Sequence, residues 1–211
     1  MKRIIDLTHP YRVGMTTYPG TLPIDINSIG DTNYNFIYFL YGINHIGTHC
    51  DAPAHMIKGE KTIDQISIDT FMGEAVIVDV DVKDSFEIGP DVLKGHEIRE
   101  GNIVLFRTGY SRLWDKEEYI KKSPYLSEEL AKELVKHKVK AVGLDFISPD
   151  PVRDDITFPV HKILLASNII IIENLNNLDK ISQKRVWFSA APILIEGADG
   201  AFTRAYAIVE E

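Results

Sequence analysis

The sequence predicts one α/β domain built on a mixed sheet, and three observations carry that prediction. Apolar runs over 74–82, 102–109, the start of 141–150 and 169–173 have the length and Val/Ile enrichment of strands buried on both faces. Helical patterns over 127–138 and 161–168 are interleaved with them. The segment 186–209 reads instead as a closing strand pair around Gly197-Ala-Asp-Gly200. The chain has 211 residues and no repeat, low-complexity tract or linker, so 1–211 is expected to form a single domain.

Composition narrows the function classes. Hydrophobic residues at 45% and charged residues at 26% are ordinary for a soluble globular protein. A net charge of −8 without any basic run disfavours nucleic acid and anionic membrane as partners. The single cysteine, Cys50, excludes an internal disulfide and fits a reducing compartment. The N-terminus lacks the apolar core of a signal peptide, and no run approaches the roughly 18 apolar residues of a membrane span. A cytoplasmic, soluble protein is expected.

Taken in order, 3–7 is a short strand and His9-Pro10 a turn, with His9 read as structural. Residues 13–20 form a loop rich in breakers, and 34–43 an aromatic strand. The stretch 44–55 brings His45, His49, Asp51 and His55 within eleven residues. A helix would place Asp51 almost opposite the first two histidines, and Gly47 and Pro53 oppose one. A straight strand aligns all four but separates His45 from His49 by roughly 13 Å, too far for one ion with bonds of about 2 Å. A bent loop, hinged at Gly47, satisfies both requirements and wraps a divalent metal. Two imidazoles and a carboxylate suit zinc, manganese or iron, with positions left for water.

Residues 56–62 then turn the chain, 63–72 is a short helical or irregular link, and Pro90 opens a short helix over 89–96. Ser127 caps the helix that follows it, which opens with acids and closes with bases. Asp145, at the end of a buried strand, needs a partner: either it orients a ligating histidine or, with Asp150, it orders the loop. Glu173, after four isoleucines, needs a metal or an arginine.

The pattern His45-x-Gly47-Thr48-His49-x-Asp51-x-Pro53-x-His55 resembles the signature of the cyclase-like metal-dependent hydrolases, which include bacterial arylformamidases (kynurenine formamidases) and isatin hydrolases. The resemblance spans nearly the whole chain. It implies a swivelling β/β/α fold, one or two divalent ions (zinc first, manganese second) and a homo-oligomer, dimer or tetramer. His45, His49 and Asp51 would hold one ion. Asp51, His161 and Glu173 would hold another, or His161 would handle protons in a one-ion site. His55 would be the catalytic acid and base, and Tyr18 would line the substrate pocket. Arylformamidases carry Trp-Pro-Gly-Asp where this chain has Tyr18-Pro19-Gly20-Thr21, a departure that bears on the substrate rather than on the chemistry. The implied activity is hydrolysis of N-formylkynurenine or a related aryl formamide, with isatin-type ring opening or ring closure as alternatives. Two rivals stand beside it. A Cys50 thiolate enzyme is disfavoured because its even position points it away from the metal-facing side chains. A non-catalytic metal- or ligand-binding protein would have no need of a proton carrier at His55.

Overall fold

A nine-stranded mixed sheet organises the computed structural model, which describes residues 1–30, 35–82 and 86–210. Its parallel centre is β5 (Met72–Asp79), β7 (Ile103–Arg107), β9 (Ala141–Leu144) and β10 (Ile170–Glu173), neighbours in that order. Antiparallel strands extend both sides. Beyond β10 lie β4 (His49–Asp51) and the edge strand β12 (Gly200–Phe202). Beyond β5 lie β11 (Arg185–Ser189), β13 (Tyr206–Glu210) and the edge strand β1 (Lys2–Asp6). A separate hairpin pairs β2 (Asp25–Gly30) with β3 (Asn35–Tyr41), and β6 (Glu87–Ile88) pairs with β8 (Tyr125–Leu126). The strand expected over 34–43 is β3; residue 34 lies outside the described residues.

Period-two alternation divides the core into two layers. Along β5, Ala75 and Ile77 join one cluster with Ile103, Leu105, Ile170 and Ile172. Val76 and Val78 join the other, with Val104, Phe106, Val142 and Ile171. That second layer is covered by α2 (Glu128–Lys136), through Leu130 and Leu134, and by α3 (Pro159–Ala166), through Val160 and Leu164. Ser127 caps α2 as expected, its hydroxyl accepting from Leu130 N at 3.1 Å. A short helix, α1 (Glu117–Lys121), was not legible in the sequence.

Two expectations are corrected. Residues 49–51 are a strand and not part of a loop, because β10 and β12 supply hydrogen-bonding partners on both sides. The segment 193–196 is not a strand. Only the isolated bridge Pro192–Thr203 forms there, Pro192 has no N–H to give a ladder, and Ile193 and Leu194 are exposed. Residues 201–209 accordingly split into β12 and β13, which pair with different neighbours.

His9, read as structural, is buried, with its ring stacked on Trp114 at 4.0 Å and its Nε2 unpartnered. Burial lowers its pKa to about 4, so the folded protein holds it neutral. In the unfolded chain it titrates near 6.5, so its contribution is intact above that pH and is lost as pH falls toward 4. The loss amounts to at most about 3 kcal/mol. Thermal melts of His9→Phe, which keeps a stacking ring and titrates nothing, should therefore fall less steeply between pH 6.5 and 4 than those of wild type.

Candidate metal centre and pocket

Sheet register assembles the centre. β4 and β10 place Glu173 opposite His49 and Ile171 opposite Asp51, so His49, Asp51 and Glu173 emerge on the face covered by α3. Helix α3 adds His161 from its first turn. His45 is brought back by the bend at Gly47, whose φ of +60° favours glycine and whose missing side chain leaves room for Tyr11 and Met15. Its ring lies over Gly200, the partner of Asp51 on β12, where a Cβ would come within 2.5 Å of His45 Cε1. Gly200→Ala should therefore displace His45, and the metal bound per chain, measured by elemental analysis, should fall.

The distances are those of a ligand cluster. His45 Nδ1 is 2.7 Å and His49 Nε2 3.2 Å from Asp51 Oδ1. His161 Nε2 lies 3.7 Å from Asp51 Oδ2 and 3.4 Å from Glu173 Oε1, and His49 Nε2 3.5 Å from Glu173 Oε2. Ligand atoms of His49, Asp51 and Glu173 all fall within 4.8 Å of one another, as do those of His45, Asp51 and His55. Asp51 Oδ2 and Glu173 Oε1 are buried without a hydrogen-bond partner. Two orphaned carboxylate oxygens facing imidazole nitrogens are costly unless a cation sits between them, so these residues fit a divalent ion. Burial opposes charge on His45 and His161, yet neighbouring carboxylates outweigh it and raise both to about 10. Asp199 and Asp51 act on His45, and Asp150 and Glu173 on His161.

Hydrogen bonds behind the centre set the tautomers. His49 Nδ1 donates to Gly47 O at 2.9 Å, which leaves Nε2 free for a metal. Asn174, held at φ +57°, donates to the same carbonyl at 3.0 Å and accepts from the buried Tyr119 hydroxyl at 2.9 Å. Thr48 ties this floor to the N-terminal segment, accepting from His9 N and donating to Asn174 O.

Above the centre opens a cavity of about 270 Å³ lined by Tyr18, Ile43, Met56, Phe158, His55 and Ser148, among others. Phe158 sits in the left-handed region at φ +53°, a strained conformation for a bulky residue, with its ring 6.4 Å from Tyr18 and 5.6 Å from His161. The cavity thus has a floor of imidazoles and carboxylates, aromatic walls, and the His55 imidazole at its lining.

The family model described as "Putative cyclase" matches residues 5–151. The chain belongs to the cyclase family. Across this family, it is 30% identical to the kynurenine formamidase of Bacillus cytotoxicus and 28% identical to that of Bacillus cereus, each over 95% of both chains. Isatin hydrolase A from Ralstonia solanacearum superposes with a TM-score of 0.88 at 26% identity, over 99% of this chain and 92% of that one. The solved structure of a potential metal-dependent hydrolase with cyclase activity matches over 100% of both chains, at 27% identity and a TM-score of 0.81.

Within this cyclase-family chain, His45, His49, Asp51, His55, His161, Glu173 and Tyr18 all converge on one cavity. Asp145 does not. Its carboxylate accepts from Thr108 N, Thr108 Oγ1 and Gly109 N, so it ties down the end of β7 and touches no histidine. Burial outweighs those bonds and raises its pKa to about 6. The acid that orients His161 is Asp150, which takes His161 Nδ1 at 2.6 Å and also accepts from Val160 N and His161 N at the start of α3. From the sequence Asp150 is a loop-ordering acid; that it closes onto the helix start eleven residues on is visible only in the fold. Asp199 and Phe158 were also missed. A Gly-Ala-Asp-Gly turn and an aromatic before proline carry no local sign of a site. Cys50 turns to the opposite face of β4, its sulfur 3.1 Å from Ala190 O in the apolar core, and burial raises its thiol well above the ordinary range. That placement is wrong for a nucleophile.

Proposed function

We propose that this chain hydrolyses the exocyclic or ring C–N bond of a small aryl amide, an aryl formamide of the N-formylkynurenine type first and a cyclic amide of the isatin type second. It is a metal-dependent hydrolase of the cyclase family acting on non-peptide C–N bonds. The observation that carries the reading is the pair of orphaned carboxylate oxygens, Asp51 Oδ2 and Glu173 Oε1, at the floor of a cavity walled by aromatic residues. His45, His49 and Asp51 would hold one divalent ion, and Asp51, His161 and Glu173 a second; zinc suits the nitrogen-rich set best and manganese next. An ion there supplies Lewis-acid polarisation of the amide carbonyl and acidifies water.

The remaining steps belong to side chains. Tyr18 and Phe158 offer faces for the aryl ring and hold the scissile bond over the floor. His55 takes a proton from the attacking water and returns it to the leaving nitrogen. Asp150 keeps His161 oriented with its Nε2 toward Asp51 and Glu173. We place the protein in the cytoplasm, in keeping with its single buried cysteine, and as a homo-oligomer, dimer or tetramer, on the family resemblance alone. No described helix is long and apolar enough to cross a membrane.

Formate release from N-formylkynurenine tests the reading, using protein reconstituted in turn with zinc and manganese. Fast release establishes the formamidase assignment, with Tyr18 serving where other family members carry tryptophan. No release from metal-loaded protein, with isatin opened instead, moves the assignment to the cyclic amides. Turnover of neither substrate, or turnover only toward ring closure, overturns hydrolysis.

A further inference from the structure

Asp199 takes no part in the division of labour above, yet its carboxylate reaches the centre of the site. It lies in the turn ahead of β12, and that turn is pinned along its length. Gly197 N donates to Asp64 Oδ1 at 3.0 Å, Ile63 N to Ala198 O at 2.8 Å and Ala52 N to Asp199 O at 2.8 Å. Asn44 Nδ2 donates to Asp199 Oδ1 at 2.7 Å and to Gly200 O at 2.8 Å, which fixes the carboxylate plane as well as the backbone. The other oxygen, Oδ2, then faces two imidazoles: His55 Nδ1 at 3.1 Å and His45 Nε2 at 3.1 Å. The two rings stack on each other, centroids 3.9 Å apart and 26° from parallel.

An ionised carboxylate only accepts hydrogen bonds, so His55 must carry its proton on Nδ1, and Nε2 is left as the atom with a free electron pair. We infer that Asp199 is a positioning residue, held rigid by Asn44 and the pinned turn, that locks His55 in the tautomer able to accept a proton at Nε2. The inference rests on His55 being the proton carrier. Nε2 takes one proton from water as the water oxygen bonds to the amide carbon, and gives that proton to the leaving nitrogen as the C–N bond breaks. Asp199 gains no proton in either step.

Asp199→Asn separates this role from mere support of the turn. The amide keeps the side chain's shape and an oxygen for Asn44, and the backbone bonds at 52 and 63 are untouched. It presents N–H groups where Oδ2 accepted, so His55 loses the partner that sets its tautomer. The holoenzyme of wild type, Asp199→Asn, Asp199→Glu and His55→Ala should be compared with N-formylkynurenine as substrate. For Asp199→Asn we expect kcat to fall at least about tenfold, within the range of acid–base catalysis. KM should stay within about twofold and metal per chain should not change. A downfield ring N–H proton signal should be present in wild type and absent from both Asp199→Asn and His55→Ala. Asp199→Glu, which retains an acceptor, should recover part of kcat. Asp199→Ser repeats the first arm if the asparagine variant does not fold. Unchanged kcat in Asp199→Asn overturns the inference while leaving the function of His55 standing, provided His55→Ala is inactive. Loss of metal in Asp199→Asn overturns it in favour of action through His45. Wild-type kcat in His55→Ala removes the premise, and the inference with it.

Discussion

His55→Ala is expected to lower turnover by about 10²–10⁴-fold, the contribution typical of a positioned acid–base group, while metal content stays at the wild-type level. His55 follows Pro53 in a single 3-10 turn (Pro53–His55), lines the cavity, and is bonded through Nδ1 to Asp199. The centre keeps three histidines and two carboxylates without it, namely His45, His49, His161, Asp51 and Glu173. The competing possibility is specific, since His55 has a ring nitrogen within 4.8 Å of ligand atoms on His45 and Asp51. Turnover and elemental analysis on the same preparation decide between them. Metal lost together with activity would make His55 a ligand and overturn its role as proton carrier.

His49→Ala is expected to act in the opposite order, with metal lost first and activity following from that. His49 is the most enclosed imidazole of the site, 2% exposed, and contacts both Asp51 and Glu173 through Nε2. Removing it leaves two buried carboxylates facing each other with one fewer cationic or metal-bound neighbour, which favours protonation of an acid over binding of an ion. The loss of metal affinity should exceed the roughly 10–100-fold brought by removing a hydrogen-bond partner of a ligand. Titration of the apo-protein with zinc, followed by calorimetry, measures it. Near-wild-type affinity would show that the carboxylates and the other two histidines suffice.

Both variants test residues legible from spacing alone, and the contrast with Asp145 and Asp150 shows where spacing stops. Asp145 follows a buried strand, which rightly signals that it needs partners, but these are the amides and hydroxyl at Thr108 and Gly109, just past the end of the adjacent strand β7. Asp150 looks like an ordinary loop acid and proves to be the partner of His161. Likewise the strand character of 49–51 depends on β10 and β12, residues more than a hundred positions downstream.

The sequence by itself determined the strands β5, β7, β9 and β10, the capped helix α2 and the identity of the metal-type side chains. Each of these follows from neighbours a few residues away: apolar run length, a capping serine before acids, odd-numbered histidines around a glycine and a proline. Only the tertiary structure decided which carboxylate serves which histidine. His55 and Asp199 are 144 residues apart, and they meet because β12 pairs with β4 and carries the 197–200 turn over the ring. Strand pairing is set by the packing of whole layers, so the hydrogen bonds it creates across the sheet leave no periodic trace in either partner's local sequence.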